Sequence, residues 1–183
     1  MRPPLALLIC VLALLPAALV ASGCGNGTKT VSGTNASGQT TTRTVPDVKF
    51  AKTKFVLHTG LALGAFHRYI YKPWKAGTLK KGADGRVAAL AKAAAAGAFT
   101  AHELGSARDA ALSDDRLRGL GDRLTSLTDN VRGLVPGLGN GSGSGSSLAQ
   151  IAKISAGLGS VTALANAAGV NVKQLNVPNL PTG

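Results

Sequence analysis

Residues 86–112 have the sequence RVAALAKAAAAGAFTAHELGSARDAAL, and this stretch decides the fold class. Its apolar side chains recur every three or four residues, which is the spacing of one face of an α-helix. Ala or Gly also occupies positions 93, 97, 101 and 105, and small side chains at this spacing let a neighbouring backbone approach closely. The stretch therefore predicts one long helix over residues 86–112, in a bundle packed through small side chains.

A first helix is predicted over residues 49–72 and should end before Pro73, because proline cannot continue the helical hydrogen bonds. Gly60 and Gly64 lie one turn apart in its middle, where each glycine costs about 1 kcal/mol of helix propensity. We expect these glycines to lie where another backbone comes close. Together with residues 86–112, the segment predicts an antiparallel pair of helices.

A third helix is predicted over residues 114–135, with Ser113 as its N-cap and Pro136 as its end. Leu and Val side chains alternate by three and four residues and form an apolar seam from Leu117 to Leu134. The seam is short, so its expected partner is a neighbouring helix of the same domain. The alternative is a protein that binds a separate partner through this seam.

A fourth helix is predicted over residues 148–168, after a Gly/Ser-rich linker at 136–147. Ser147 and Gln150 fit a capping box at its start. The tail from 170 to 183 alternates Val with Asn and contains two prolines, which predicts an extended and poorly ordered segment. The predicted fold class is thus all-α, a bundle of about four helices, with a helical domain at 47–135 and a C-terminal helix at 148–169.

The N-terminal segment has the composition of an export signal. Arg2 supplies a positive charge, and the apolar run at residues 5–20 is shorter than the ~20 residues that span a bilayer. Ala21-Ser22-Gly23-Cys24 follows directly. The alternative is an ordinary secretory signal cleaved near Ser22, with Cys24 as a free thiol.

The motif at residues 21–24 resembles the lipobox of bacterial lipoproteins, in which Ala21 replaces the more usual Leu. The resemblance implies that residues 1–23 are a signal peptide and that Cys24 receives a diacylglycerol, with or without a further acyl chain such as palmitate. It also implies a protein anchored by lipid to the cell membrane, on its extracytoplasmic side. Residues 24–46 are rich in Thr, Gly and Ser, which predicts a flexible tether behind the lipidated cysteine.

The net charge of +12 is concentrated in one segment. Residues 49–92 contain ten basic residues and one acidic residue, and residues 50–74 hold six of the seven aromatic residues. Such a mixture suits anionic lipid headgroups, acidic cell-wall polymers or nucleic acid, and an exported protein meets them in that order. The plainer alternative is a solvated basic helix end. The predicted binding residues are Tyr69, Tyr71, Lys72, Trp74, Lys75, Lys80 and Lys81.

No catalytic motif is recognisable, so the sequence predicts a binding or scaffolding protein of the cell envelope, with no enzyme activity, cofactor or metal. His58 and His67 are nine positions apart and should point to opposite faces of one helix. A bundle that holds haem, a metal or a small ligand through His67 or His102 is the alternative from a different class. The identity of any protein partner is not predicted.

Overall fold

A computed structural model describes residues 27–34, 40–140 and 145–177, most of them helical, which confirms the predicted helical bundle. A β-hairpin and a single-turn 3₁₀ segment (Arg118–Leu120) accompany the helices. The strands are β1 (Gly27–Thr34) and β2 (Thr40–Asp47). The helices are α1 (Ala51–Phe66), which continues through a π-helical turn (His67–Tyr71) into the short α2 (Lys72–Lys75), then α3 (Arg86–Ser113), α4 (Gly121–Gly139) and α5 (Gly145–Ala167).

Helix α3 packs against both α1 and α4, and α5 packs against α4. Ala93, Leu104 and Ala107 of α3 are fully buried, as the predicted stripe of small side chains requires. A Cβ atom at Gly97 would lie 2.8 Å from Cγ2 of Val135 on α4, so glycine is needed for this close approach. The long central helix at residues 86–112 is confirmed, and it extends by one residue to Ser113.

The first helix was predicted to end before Pro73. The helical path instead runs on to Lys75. The backbone N–H of Lys72 donates to the carbonyl oxygen of His67, five residues earlier, which is the wider hydrogen bond of a π-helix. Pro73 then falls in the first turn of α2. Proline is tolerated there because a first-turn N–H has no partner within its own helix.

The third helix begins later than predicted, and Ser113 is not its N-cap. Ser113 is the last residue of α3, and Asp114 follows with an extended backbone. The Asp114 carboxylate accepts a hydrogen bond of 2.9 Å from the backbone N–H of Arg116, a local bond that favours a turn over a helix. Helix α4 therefore starts only at Gly121.

The predicted linker is shorter than expected, because helices occupy both of its ends. Helix α4 continues through Pro136 to Gly139, held by the buried leucines 134 and 138, and α5 already begins at Gly145. Ser147 consequently lies inside α5 and is not an N-cap. Gln150 does not close a capping box, since its Nε2 atom donates to the carbonyl oxygen of Asn130 on α4 at 2.8 Å.

The polar segment predicted to be a flexible tether differs most from expectation. Residues 27–34 and 40–47 pair as antiparallel strands, with Gly27 opposite Asp47 and Thr34 opposite Thr40. The many β-branched threonines favour strands, and Val45 supplies a buried apolar contact. The hairpin contacts the end of α3, where Ser113 Oγ accepts a hydrogen bond of 3.1 Å from the N–H of Val48.

The described part of the C-terminal tail is extended, as predicted, but it packs on α1. Val170, Val172 and Val177 are buried, and the N–H of Leu175 donates to the carbonyl oxygen of Gly60 at 3.0 Å. The predicted close approach at Gly60 and its neighbour Gly64 is therefore made by this tail.

Candidate functional site

The predicted binding residues lie on the π-helical turn, on α2 and on the turn that follows. Tyr69, Tyr71 and Trp74 are half-buried and pack against the core, whereas the lysine side chains are exposed. We call this surface the basic-aromatic end. It consists of Tyr69, Tyr71, Lys72, Trp74, Lys75, Lys80 and Lys81.

Two of the aromatic side chains are in ring contact, and one of them is also stacked on a histidine. The ring of Tyr71 lies 5.5 Å from that of His67 and 5.5 Å from that of Trp74, measured between centroids. Tyr69 has a different neighbour, since the guanidinium carbon of Arg68 lies 5.2 Å from its ring centroid. His67 and Arg68 were not among the predicted binding residues, although the spacing of His67 to Tyr71, one helical turn, is visible in the sequence.

The turn after α2 holds Lys80 and Lys81 at a defined place. Leu79 is buried beside them, and its carbonyl oxygen accepts a hydrogen bond of 3.2 Å from Nε of Arg86. Gly77 has a φ of 77°, a conformation that favours glycine because it has no Cβ. The lysines thus extend from a turn that is anchored to the core and to the start of α3.

The charge of the basic-aromatic end is not neutralised by the residues that the structure describes. Across the described ranges, none of its four lysines forms an ion pair. Asp84 is the acidic residue nearest to them in sequence, and it is exposed. Four cationic groups are therefore free to meet an anionic partner.

The surface also carries a concavity. A cavity of about 260 Å³ lies between the turn and α3, and it is lined by Tyr69, Pro73, Thr78 and Lys92 among others. Its lining is mostly apolar, and it combines an aromatic residue with a lysine and a threonine. Such a combination suits a polar ring with an anionic substituent, such as a sugar of an acidic polymer.

The three histidines have different surroundings in the structure, and a ligand held through His67 or His102 stays a prediction. His102 is exposed on α3, and His67 is stacked on Tyr71. His58 lies between α1 and α3, where its Nδ1 atom is 2.7 Å from Oε2 of Glu103. Nowhere in the described ranges do three or more His, Cys, Asp or Glu side chains gather as metal ligands would.

The side chain of Glu103 is only 8% exposed, although glutamate side chains mostly lie at the protein surface. The sequence could not reveal its pairing with His58, because this depends on how α1 and α3 are aligned. The pair lies between two helices, with His58 24% exposed, so it contributes a hydrogen bond and packing at that interface.

The apolar seam from Leu117 to Leu134 is used inside the protein. All of its side chains are buried in the common core. The seam therefore packs against neighbouring helices, as first expected, and it offers no exposed surface to a separate partner. Its members are Leu117, Leu120, Leu124, Leu127, Val131 and Leu134.

The predicted signal peptide and Cys24 lie outside the described residues. Among the residues that are described, no helix combines the length and hydropathy needed to cross a membrane. Comparisons of the chain with protein-family models, curated proteins and solved structures found no match.

Proposed function

We propose that this protein is exported, anchored to the membrane through a lipid on Cys24, and binds an anionic cell-wall polymer with its basic-aromatic end. The observation that carries the proposal is a group of four exposed lysines on the same segment as the half-buried rings of Tyr71 and Trp74, none of them in an ion pair with a described residue. The lipid anchor is supported by the lipobox-like motif at residues 21–24.

The chemistry of the surface suits a polymer of repeated negative charges. Exposed ammonium groups attract phosphate or carboxylate groups, and several of them act together on one chain. The flat faces of Tyr71 and Trp74 add apolar contact for sugar rings. The tilted pair of rings is held against the core, so little conformational freedom is lost when a polymer binds.

The position of the surface favours a wall polymer over the bilayer that would hold the anchor. Gly27 is paired with Asp47, so the chain from Cys24 enters the protein next to the start of α1. From that start to Trp74 the helical path rises about 35 Å, at roughly 1.5 Å per residue. The basic-aromatic end is therefore far from the point where the anchor joins the protein.

The test is a binding assay with the full chain, purified in detergent, and cell-wall sacculi that retain their anionic polymer. A variant with glutamate in place of Lys72, Lys75, Lys80 and Lys81 should bind about 100-fold more weakly or worse, since each lysine contributes about 1 kcal/mol at an anionic surface. Sacculi from which the polymer has been extracted should bind neither protein.

The matched control carries the same change of charge at four other exposed basic residues. It should retain most of the binding, because those residues lie outside the basic-aromatic end. Equal loss in both variants would show that net charge alone governs binding and would contradict the proposal. If the variant with four glutamates in the basic-aromatic end still bound sacculi but no longer bound phosphatidylglycerol vesicles, the partner would be lipid instead. The control residues are Arg116, Arg123, Lys153 and Lys173.

The lipid anchor has its own test. The intact mass of the N-terminal peptide, from protein extracted from membranes, should show cleavage before Cys24 and a diacylglyceryl group on its sulfur. A Cys24→Ser variant should lack this mass and leave the membrane fraction. An unmodified Cys24 in the mature protein would contradict this half of the proposal.

A further inference from the structure

Phe50 is an aromatic residue that the fold places in solvent. It directly precedes α1, and its side chain is 80% exposed. Neighbouring residues on both sides of Phe50 are held in place by the core, since Val48 is buried and Ala51 packs against it. Phe50 therefore points outward from a firmly held segment.

The backbone of Phe50 is also strained. Its φ of 55° and ψ of 40° lie in the left-handed region, and Phe50 is the one residue other than glycine with a positive φ in the described part of the chain. A bulky side chain in this region costs free energy that Gly or Asn would largely avoid. Backbone strain of this kind is concentrated at functional sites.

A second exposed apolar side chain lies further along α1. Leu57 is 45% exposed, and it lines the same shallow cavity as Lys52 of the first turn. Lys49 and Lys52 flank the phenylalanine and are exposed. We call these four residues the entry surface: Lys49, Phe50, Lys52 and Leu57.

The entry surface lies beside the point where the chain arrives from Cys24. Gly27 is three residues after that cysteine and is paired with Asp47, which in turn is three residues before Phe50. Three residues span at most about 10 Å and paired strands lie about 5 Å apart, so Gly27, where the described chain begins, lies within roughly 15 Å of Phe50.

We propose that the entry surface is a second membrane contact, in which Phe50 and Leu57 enter the interfacial layer of an anionic bilayer and the lysines meet its headgroups. This inference rests on the lipid anchor of the proposed function, which brings the surface to the bilayer. Amphipathic segments with lysine beside aromatic or leucine side chains bind at this depth. Asp47, the carboxylate close by in sequence, lies 3.8 Å from the ammonium group of Lys29, so the surface stays cationic.

The two ends of α1 then have separate partners. The entry surface holds the start of α1 at the membrane, and the basic-aromatic end projects toward the wall. A second copy of this chain is a poorer occupant for the entry surface, because like-charged lysines would face one another. The bilayer offers both an apolar layer and negative charge.

The experiment uses tryptophan fluorescence, since Trp74 is the single tryptophan of the chain. The full chain is reconstituted into vesicles of phosphatidylglycerol and phosphatidylcholine whose acyl chains carry bromine, which quenches tryptophan within the bilayer. The Phe50→Trp/Trp74→Phe variant should show blue-shifted emission that bromine quenches by about half, because the side chain lies about 5–10 Å deep. Unaltered Trp74 should not be quenched.

The matched control is Val87→Trp/Trp74→Phe, because Val87 is 81% exposed but lies at the start of α3, away from the entry surface. Its tryptophan should stay unquenched. The inference is overturned if the tryptophan at position 50 is unquenched while the protein remains on the vesicles, an outcome that leaves the proposed function intact. It is also overturned if the blue shift appears without lipid and grows with protein concentration, because a second copy would then cover Phe50.

The lipid anchor and the entry surface can fail separately. If the N-terminal mass shows no lipid on Cys24, the proposed function loses its anchor. Quenching at position 50 would then still support the entry surface as a membrane contact. An unquenched tryptophan in unlipidated protein that still sediments with the vesicles would contradict it.

Discussion

The backbone carbonyl of Leu175 lies directly over Gly64 of α1, in the space that a Cβ atom would fill. One turn earlier, a Cβ atom at Gly60 would lie 2.6 Å from the carbonyl oxygen of Lys173. The two glycines therefore form a groove for the C-terminal segment. Arg68 closes the far end of this contact, because its Nη1 atom donates to the carbonyl oxygen of Val177 at 3.0 Å.

Replacing Gly64 with Ala should therefore displace the C-terminal segment. The new methyl group meets a backbone carbonyl, which cannot rotate away as a side chain can. We expect the variant to lose about 1–3 kcal/mol in free energy of unfolding, as for other overpacked sites. Amide hydrogen exchange of Val172 and Leu175 should also become faster. Urea unfolding and exchange measured by mass spectrometry would check both effects.

Gly105→Ala is the matched control for this prediction. Gly105 is also inside a helix, but a Cβ atom there has no neighbour within 4 Å. Alanine should then stabilise α3 by about 0.5–1 kcal/mol through its better helix propensity. If alanine stabilised the protein at both positions, the groove on α1 would not depend on glycine.

The same groove shows what the sequence could and could not predict. The spacing of Gly60 and Gly64 correctly indicated a close backbone contact. It did not identify the neighbour, because a helix and an extended strand both fit over a small-residue stripe. The choice depends on contacts distant in sequence, such as the bond from Leu175 to Gly60.

The hairpin and the helix ends were harder to predict for a local reason. The strands at 27–34 and 40–47 are mostly polar on both faces, so they lack the apolar alternation that marks a half-buried strand. Pro73 and Pro136 are ordinary helix breakers, but a π-helical turn and flanking buried leucines override them. Composition alone localised the lysines and aromatic residues of the basic-aromatic end to one segment, and their role in binding stays a prediction.

The bond between His58 and Glu103 predicts a second set of effects. His58→Ala would leave the buried carboxylate of Glu103 without its partner, at a cost of about 2–3 kcal/mol in free energy of unfolding. His58→Gln keeps a donor and should lose less. His102→Ala is the control, because His102 is exposed next to Glu103 in sequence and should change stability by no more than about 0.5 kcal/mol. Equal losses for the two alanine variants, measured by urea unfolding, would refute a stabilising role for this pair.

The docking of the hairpin depends on Ser113 at the end of α3. Its hydroxyl oxygen accepts the N–H of Val48 at 3.1 Å, and the hydroxyl group faces the carbonyl oxygens of Pro46 and Asp109. The ammonium group of Lys29 reaches the carbonyl oxygen of Ser113 at 2.8 Å, where the negative end of the helix dipole favours a cation. These bonds connect the strands to the bundle.

Ser113→Ala should therefore weaken the connection between the hairpin and α3. The N–H of Val48 would lose its acceptor while it stays buried, which should cost about 1–2 kcal/mol. The expected sign is faster amide exchange at Val48 and along β2, with the helices less affected. Ser126→Ala is the control, since that exposed hydroxyl bonds only within α4, to the carbonyl oxygen of Asp122. Unchanged exchange at Val48 in Ser113→Ala would show that Lys29 and Val45 suffice to hold the hairpin.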